Sequence, residues 1–128
     1  MENTKIPDTL EECFEILDTF VGIVEWSNKS EENAISEIHH SIGQWIRNNW
    51  GLWVVGENMN KLKCWFVEKG VSHPDDISSI ILTTFHRYKN NKDLNLYQLF
   101  DYYIEWWLSD KEKILRKRKL KLEKLDGT

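Results

Sequence analysis

Between Ile77 and Tyr88 the chain carries Ile77, Ile80, Ile81, Thr84, Phe85 and Tyr88 at intervals of three and four. That spacing puts them on one face of an α-helix. The lead-in Ser72-His73-Pro74-Asp75-Asp76 suits a helix start, because proline fits the first helical position and two acids face the positive end of the helix dipole. A stripe this regular predicts a central helix against which the other elements pack.

The flanking segments read the same way. Thr9 stands three residues before Glu12, the spacing of a capping box, and Leu10, Cys13, Phe14, Leu17 and Val21 form the stripe of a first helix that continues past Gly22. Ser30 with Glu31 and Glu32 opens a second, whose face is Ile35, Ile38, Ile42, Trp45 and Ile46; Gly43 lies on it and lets another helix approach closely. Arg47 falls in its last turn, and Asn48 or Asn49 takes the left-handed conformation that ends it. Glu57 to Lys69 forms a short third helix closed by Gly70. After the central fourth, Asn95 and Gln98 cap a fifth, with Leu96, Leu99, Phe100, Tyr103 and Trp107 on one face and Tyr102 and Trp106 on a second side. Beyond Ser109 that helix runs on into a basic tail. The fold class is therefore all-α: a single compact bundle of about five helices, residues 1–110, with a basic helical extension, residues 111–128, frayed at Asp126-Gly127-Thr128.

A chain of 128 residues with 41% hydrophobic content has the material for one core of this kind. Cys13 and Cys64 lack the spacing of a metal or redox motif and are expected as reduced core residues. The opening MENTKIPDTL has neither a basic n-region nor an apolar run, and no stretch reaches the ~18 apolar residues of a membrane span, so the expected localisation is cytoplasmic. Charge is divided unevenly. Residues 111–124 hold eight basic side chains against two acidic ones, a local +6, which leaves −10 on the rest of a chain of net −4. An acidic body disfavours phosphate, and the tail has no interleaved aromatics; nucleic acid is not the expected partner.

Chemistry has few candidates. His39 and His40 are adjacent and diverge by about 100° on a helix, and no phosphate-binding glycine loop or nucleophile elbow occurs. No catalytic residue, metal site or cofactor is assigned. The densest feature is Gln44–Trp53, QWIRNNWGLW, with three of the seven tryptophans in nine residues. Its bland reading is a helix stop at Asn48-Asn49, a turn at Gly51, and Trp50, Leu52 and Trp53 folded back as a plug, since each buried indole removes ~150–250 Å² from water. Its functional reading is a surface where Arg47, an asparagine and an exposed indole meet a partner.

Three features, Pro7-Asp8-Thr9-Leu10-Glu11-Glu12, the WIRNNWGLW of Trp45–Trp53 and the HPDDIS of His73–Ser78 running into Ile80-Ile81-Leu82, resemble a family of small bacterial domains of unknown function over about Ile6 to Trp107. The resemblance implies a bacterial, cytosolic, mostly helical protein and transfers no catalytic residue.

Two functions follow as expectations. The first is a protein–protein interaction module of immunity or adaptor type, with a protein partner or self-association through the C-terminal helix, the basic tail of one copy crossing the acidic body of another. The second is a small-ligand protein or enzyme whose pocket walls are the Trp45–Trp53 turn and the His73–Asp76 helix start. Binding residues are drawn from Arg47, Asn48, Asn49, Trp50, Trp53, His73, Asp75 and Asp76. The second function requires Arg47 and Asp75 or Asp76 to line one concave pocket rather than to pair as cap and counter-ion.

Overall fold

The computed structural model describes residues 5–125, and the expected fraying at Asp126-Gly127-Thr128 lies outside them. The helices are α1 (Leu10–Leu17), α2 (Ile23–Ser27), α3 (Glu31–Ile38), α4 (Ile42–Asn49), α5 (Lys61–Glu68), α6 (Pro74–Lys89), α7 (Leu96–Trp106) and α8 (Asp110–Leu125), with a single 3₁₀ turn over Gly56–Asn58. Among the described residues there is no strand. The all-α expectation holds, while about five helices become eight because three expected helices are each broken once.

Each break has an identifiable cause. After α1 the chain turns through i→i+3 bonds from Thr19 and Phe20 to Ile16 and Leu17, the Thr19 hydroxyl also donates to the Ile16 carbonyl at 2.7 Å, and Gly22 sits at φ +86°, a conformation that favours glycine. Between α3 and α4 the Ser41 N–H bonds back to Ile38 O at 3.2 Å, and Arg47 donates from Nη2 to His39 O at 3.4 Å. The guanidinium thus satisfies a carbonyl that the end of α3 leaves orphaned. Between α7 and α8 a serine cap takes over: Glu112 N–H donates to Ser109 Oγ at 3.2 Å, and the Ser109 hydroxyl donates to Glu112 Oε1 at 3.1 Å.

Other boundaries shift by smaller amounts. Asn60, whose side chain accepts from Lys63 N–H at 2.9 Å, starts α5 four residues after the expected Glu57. Asn95 makes no side-chain cap and instead adopts φ +50°. Asn48 and Asn49 both remain helical; the left-handed residue after α4 is Gly51, φ +67°. Asn49 spends its side chain on Trp45 O at 2.9 Å.

The central stripe is buried as expected from Ile77 to Phe85, whereas Tyr88 at its end is exposed. Ile77, Ile80, Ile81, Leu82 and Phe85 of α6 are fully buried, and α6 touches α1, α3, α4 and α7. Cys13, Phe14 and Leu17 of α1, Ala34 and Ile38 of α3, Ile46 of α4, then Trp50 and Leu52, close around it. At the far end of α6, Arg87 clasps Glu31 of α3 with two bonds, 2.7 and 3.2 Å, and holds that carboxyl below its ordinary range, chiefly through the hydrogen bond. The helix α7 is held less completely: of its eleven residues only Phe100 is buried, and Tyr97, Tyr102 and Trp106 face outward.

Candidate functional site

The residues expected to form a site separate into two groups around the N-terminus of α6. The first group is closed. Arg47, on the last turn of α4, is 6% exposed; it donates from Nη1 to Ser78 Oγ at 3.0 Å and stands 3.3 Å through Nε from Asp75 Oδ1. Gly43 makes room for it, since a Cβ there would lie 3.1 Å from Arg47 Nη1. The expected helix-to-helix approach at Gly43 is thus a slot for a guanidinium. With His39 O the arginine bridges the end of α3 to the start of α6, and its charge, after burial, helps hold the His39 pKa down. Arg47 and Asp75 pair as cap and counter-ion and do not line a pocket together.

Trp50 belongs to the same closed side. It is fully buried, packs edge-on to Trp45 with centroids 5.7 Å apart, and its carbonyl accepts from Asn60 Nδ2 at 2.9 Å. Its indole N–H is buried without a hydrogen-bond partner, so the residue serves packing and offers no polar group outward.

The second group is open. A cleft of about 630 Å³ lies between the chain after Trp53, α5, the start of α6 and the end of α7. Its aromatic walls are Trp53, 55% exposed, and Trp107, 63% exposed. His73 stands between them, stacked on Trp107 at 5.6 Å and 20° and edge-on to Trp53 at 6.3 Å. The Nδ1 of His73 accepts from the Asp75 N–H at 3.0 Å, which caps α6 and fixes the ring. Asp76 lies on the same wall and accepts from Trp107 Nε1 at 2.8 Å, while Trp53 Nε1 donates to Asn48 Oδ1 at 3.1 Å. The plug expected from Trp50, Leu52 and Trp53 is therefore two-thirds real: Trp50 and Leu52 are buried and Trp53 is a wall.

Two contributors escaped sequence reading. Lys63 of α5 lines the cleft although its side chain is 1% exposed; its ammonium donates to the Leu52 carbonyl, and burial pushes its pKa down. The signal was there, because Met59, Lys63 and Val67 recur every four residues, which places a lysine on an otherwise apolar helix side. Trp107 was read as an inward residue of the fifth helix; the chain break after Trp106 turns it onto the cleft. Tyr103 completes the α7 side, and burial raises its pKa. Gly70, φ +94°, lets α7 come close: a Cβ there would meet Ile104 Cδ1 at 2.8 Å.

The remaining titratable groups do not converge. Among the described residues no group of three His, Cys, Asp or Glu is placed to hold a metal ion. Cys13 and Cys64 are free thiols, and burial pushes the Cys13 thiol far up. No helix among the described residues is long and apolar enough to cross a membrane.

A family model described as a domain of unknown function, DUF6794, matches residues 6–89. Comparisons with curated proteins and with solved structures return no match. The matched span contains Trp53, Lys63, His73 and Asp76, whereas Tyr103 and Trp107, which close the cleft, come after it.

Proposed function

Because the chain belongs to the DUF6794 family, whose description names no activity, we propose a function from the geometry of the cleft: the domain binds a small, largely apolar molecule between Trp53 and Trp107. The observation that carries this reading is the cleft itself. Its volume of about 630 Å³ falls within the ~300–1,000 Å³ of ordinary ligand sites, and its character, apolar walls with a few placed polar groups, is that of such sites. The pocket is not the one expected from the sequence, since Arg47 and Asp75 are spent on each other, but Trp53, His73 and Asp76 remain on it. Ser72 and His73 are neighbours on the walls, and the His73 Nδ1 is taken by the Asp75 N–H; the reading is of a binding site. The neutral fluorescent probe N-phenyl-1-naphthylamine tests it. Saturable binding by the wild type, abolished in Trp107→Ala and retained in Tyr97→Ala, is expected. Unsaturable binding, or equal binding by all three proteins, would overturn it.

A second reading, a protein–protein interaction module, is favoured by the other side of the molecule. Trp106 and Tyr102 of α7 and Ile114, Leu115, Leu120 and Leu122 of α8 are exposed, and residues 111–124 carry +6 while the rest of the chain carries −10. The occupant this combination fits is a second copy of the chain; a partner of immunity or adaptor type is the alternative occupant. In this chain Arg116 already pairs with Asp101 at 2.8 Å and Glu105 at 3.7 Å, so the self-association relies on tail cations such as Lys113, Lys117 and Arg118. Sedimentation at low salt should give a dimer that dissociates in ~1 M salt, where the Debye length is about 3 Å; a monomer at low salt contradicts self-association.

A further inference from the structure

We propose that the cleft selects ligands bearing a single carboxylate, and that Lys63 is the residue that receives it. The inference rests on the small-ligand reading and names its chemistry. Among the described residues Lys63 is the one Lys or Arg on the cleft walls. Its side chain is as buried as the core leucines, yet no carboxylate among the described residues pairs with it, and the Leu52 carbonyl is the one acceptor its ammonium meets. An ammonium has three donors, and the Leu52 carbonyl takes one of them. Taking such a group out of water costs several kcal/mol unless it is paired, and its lowered pKa is the sign of that cost. A mere clamp on the Leu52 carbonyl does not need a charge. An anion entering the cleft supplies the missing counter-ion in a place where water does not screen it.

The walls define the rest of the ligand. Trp53 and the stacked His73–Trp107 pair present flat surfaces that suit a planar apolar body. Asp76, held by Trp107 Nε1, puts one negative charge on the α6 wall, which disfavours a second carboxylate on the ligand. A planar aromatic or polyunsaturated monocarboxylate fits both conditions. The other titratable groups facing the cleft are His73, which caps α6, Asp76 from α6 and Tyr103 from α7.

The test compares 1-naphthoate with its uncharged isostere 1-naphthamide on the full chain, by isothermal titration. A charge-assisted hydrogen bond contributes about 1.5–3 kcal/mol, so the wild type at neutral pH should bind naphthoate about tenfold or more tightly than naphthamide. Lys63→Met keeps a straight apolar side chain at the site and should bind the two within about twofold of each other. In the wild type the preference should fade as pH rises through the lowered Lys63 range, because the ammonium loses its charge there. This second measurement needs no variant. Equal binding of the two probes by the wild type overturns the role of Lys63 and leaves the small-ligand reading standing; binding of neither overturns both. A preference that survives in Lys63→Met, or that persists unchanged to high pH, assigns the selectivity elsewhere.

Discussion

Asp75 and Asp76 are consecutive acids in the first turn of α6, and they serve opposite sides of the molecule. Asp75 meets the buried Arg47 and helps lock α4 to α6, whereas Asp76 meets the indole N–H of the exposed Trp107 and stands on the wall of the cleft. The tryptophans divide in the same way. Trp50 is wholly enclosed and even forgoes a hydrogen-bond partner, while Trp53, three residues later, is more than half exposed. Helix geometry produces the first division, since neighbours on a helix diverge by about 100°. The left-handed Gly51 produces the second, by reversing the chain between the two indoles. Rigidity is concentrated on one side and access on the other, which is how a small domain holds a site without collapsing onto it.

Substitutions should separate the two sides, and the largest effect belongs to the closed one. Trp50→Ala should cost about 3–5 kcal/mol of stability, whereas Trp53→Ala, measured by the same denaturant titration, should stay within about 1 kcal/mol and lose probe binding. Equal destabilisation by the two would erase the distinction. Next comes Arg47→Met, which leaves Asp75, Ser78 Oγ and His39 O without their shared donor; about 2–3 kcal/mol is expected, with naphthylamine binding intact once the protein is folded.

Lys63→Met sharpens the comparison because its sign is reversed. If the buried ammonium is kept for a ligand, its replacement should stabilise the ligand-free chain by about 1 kcal/mol. The folded-state pKa of Lys63 is depressed, so the unfolded chain holds more protons between that value and the free-lysine value. Stability conferred by the neutral amine is absent at low pH and gained as pH rises through this window. The advantage of Lys63→Met should therefore shrink in alkaline melts; a constant advantage across pH would mean that folding leaves the Lys63 pKa unshifted. The smallest pair is Asp75→Asn, about 1 kcal/mol because the carboxylate is half exposed, against Asp76→Asn, near zero in stability but with tighter naphthoate binding. A swap of these two outcomes would reverse the assignment of the acids.

Helix identity was legible in the sequence wherever a stripe and a cap coincided: Thr9 with Glu12, Ser30, and Pro74 after His73. The breaks were not, with one exception. Nothing in the pattern Ile35-Ile38-Ile42-Ile46 signals an interruption, because the stripe stays in phase across it and the cause is a long-range bond from Arg47 to the carbonyl of His39. Ser109 and Glu112, by contrast, have the legible spacing of a capping box, which the favourable helix propensity of the tail obscured. For the site, the residue types Trp53, His73 and Asp76 could be found near one turn and one helix start, but not their grouping. The sorting of Asp75 from Asp76 depends on which way α6 faces, and Trp107 reaches the cleft because α7 ends at Trp106 and packs close to Gly70. Both are tertiary facts with no local signature.

The most direct test of the division follows the indole N–H resonances in a two-dimensional nitrogen–proton NMR spectrum of the full chain during titration with 1-naphthoate. The resonances of Trp53 and Trp107, assigned by single substitution, should shift and saturate together, and those of the buried Trp26 and Trp50 should hold still. Saturating shifts at Trp26 and Trp50 with Trp53 and Trp107 unmoved, or no shift at any of the four, would contradict the account.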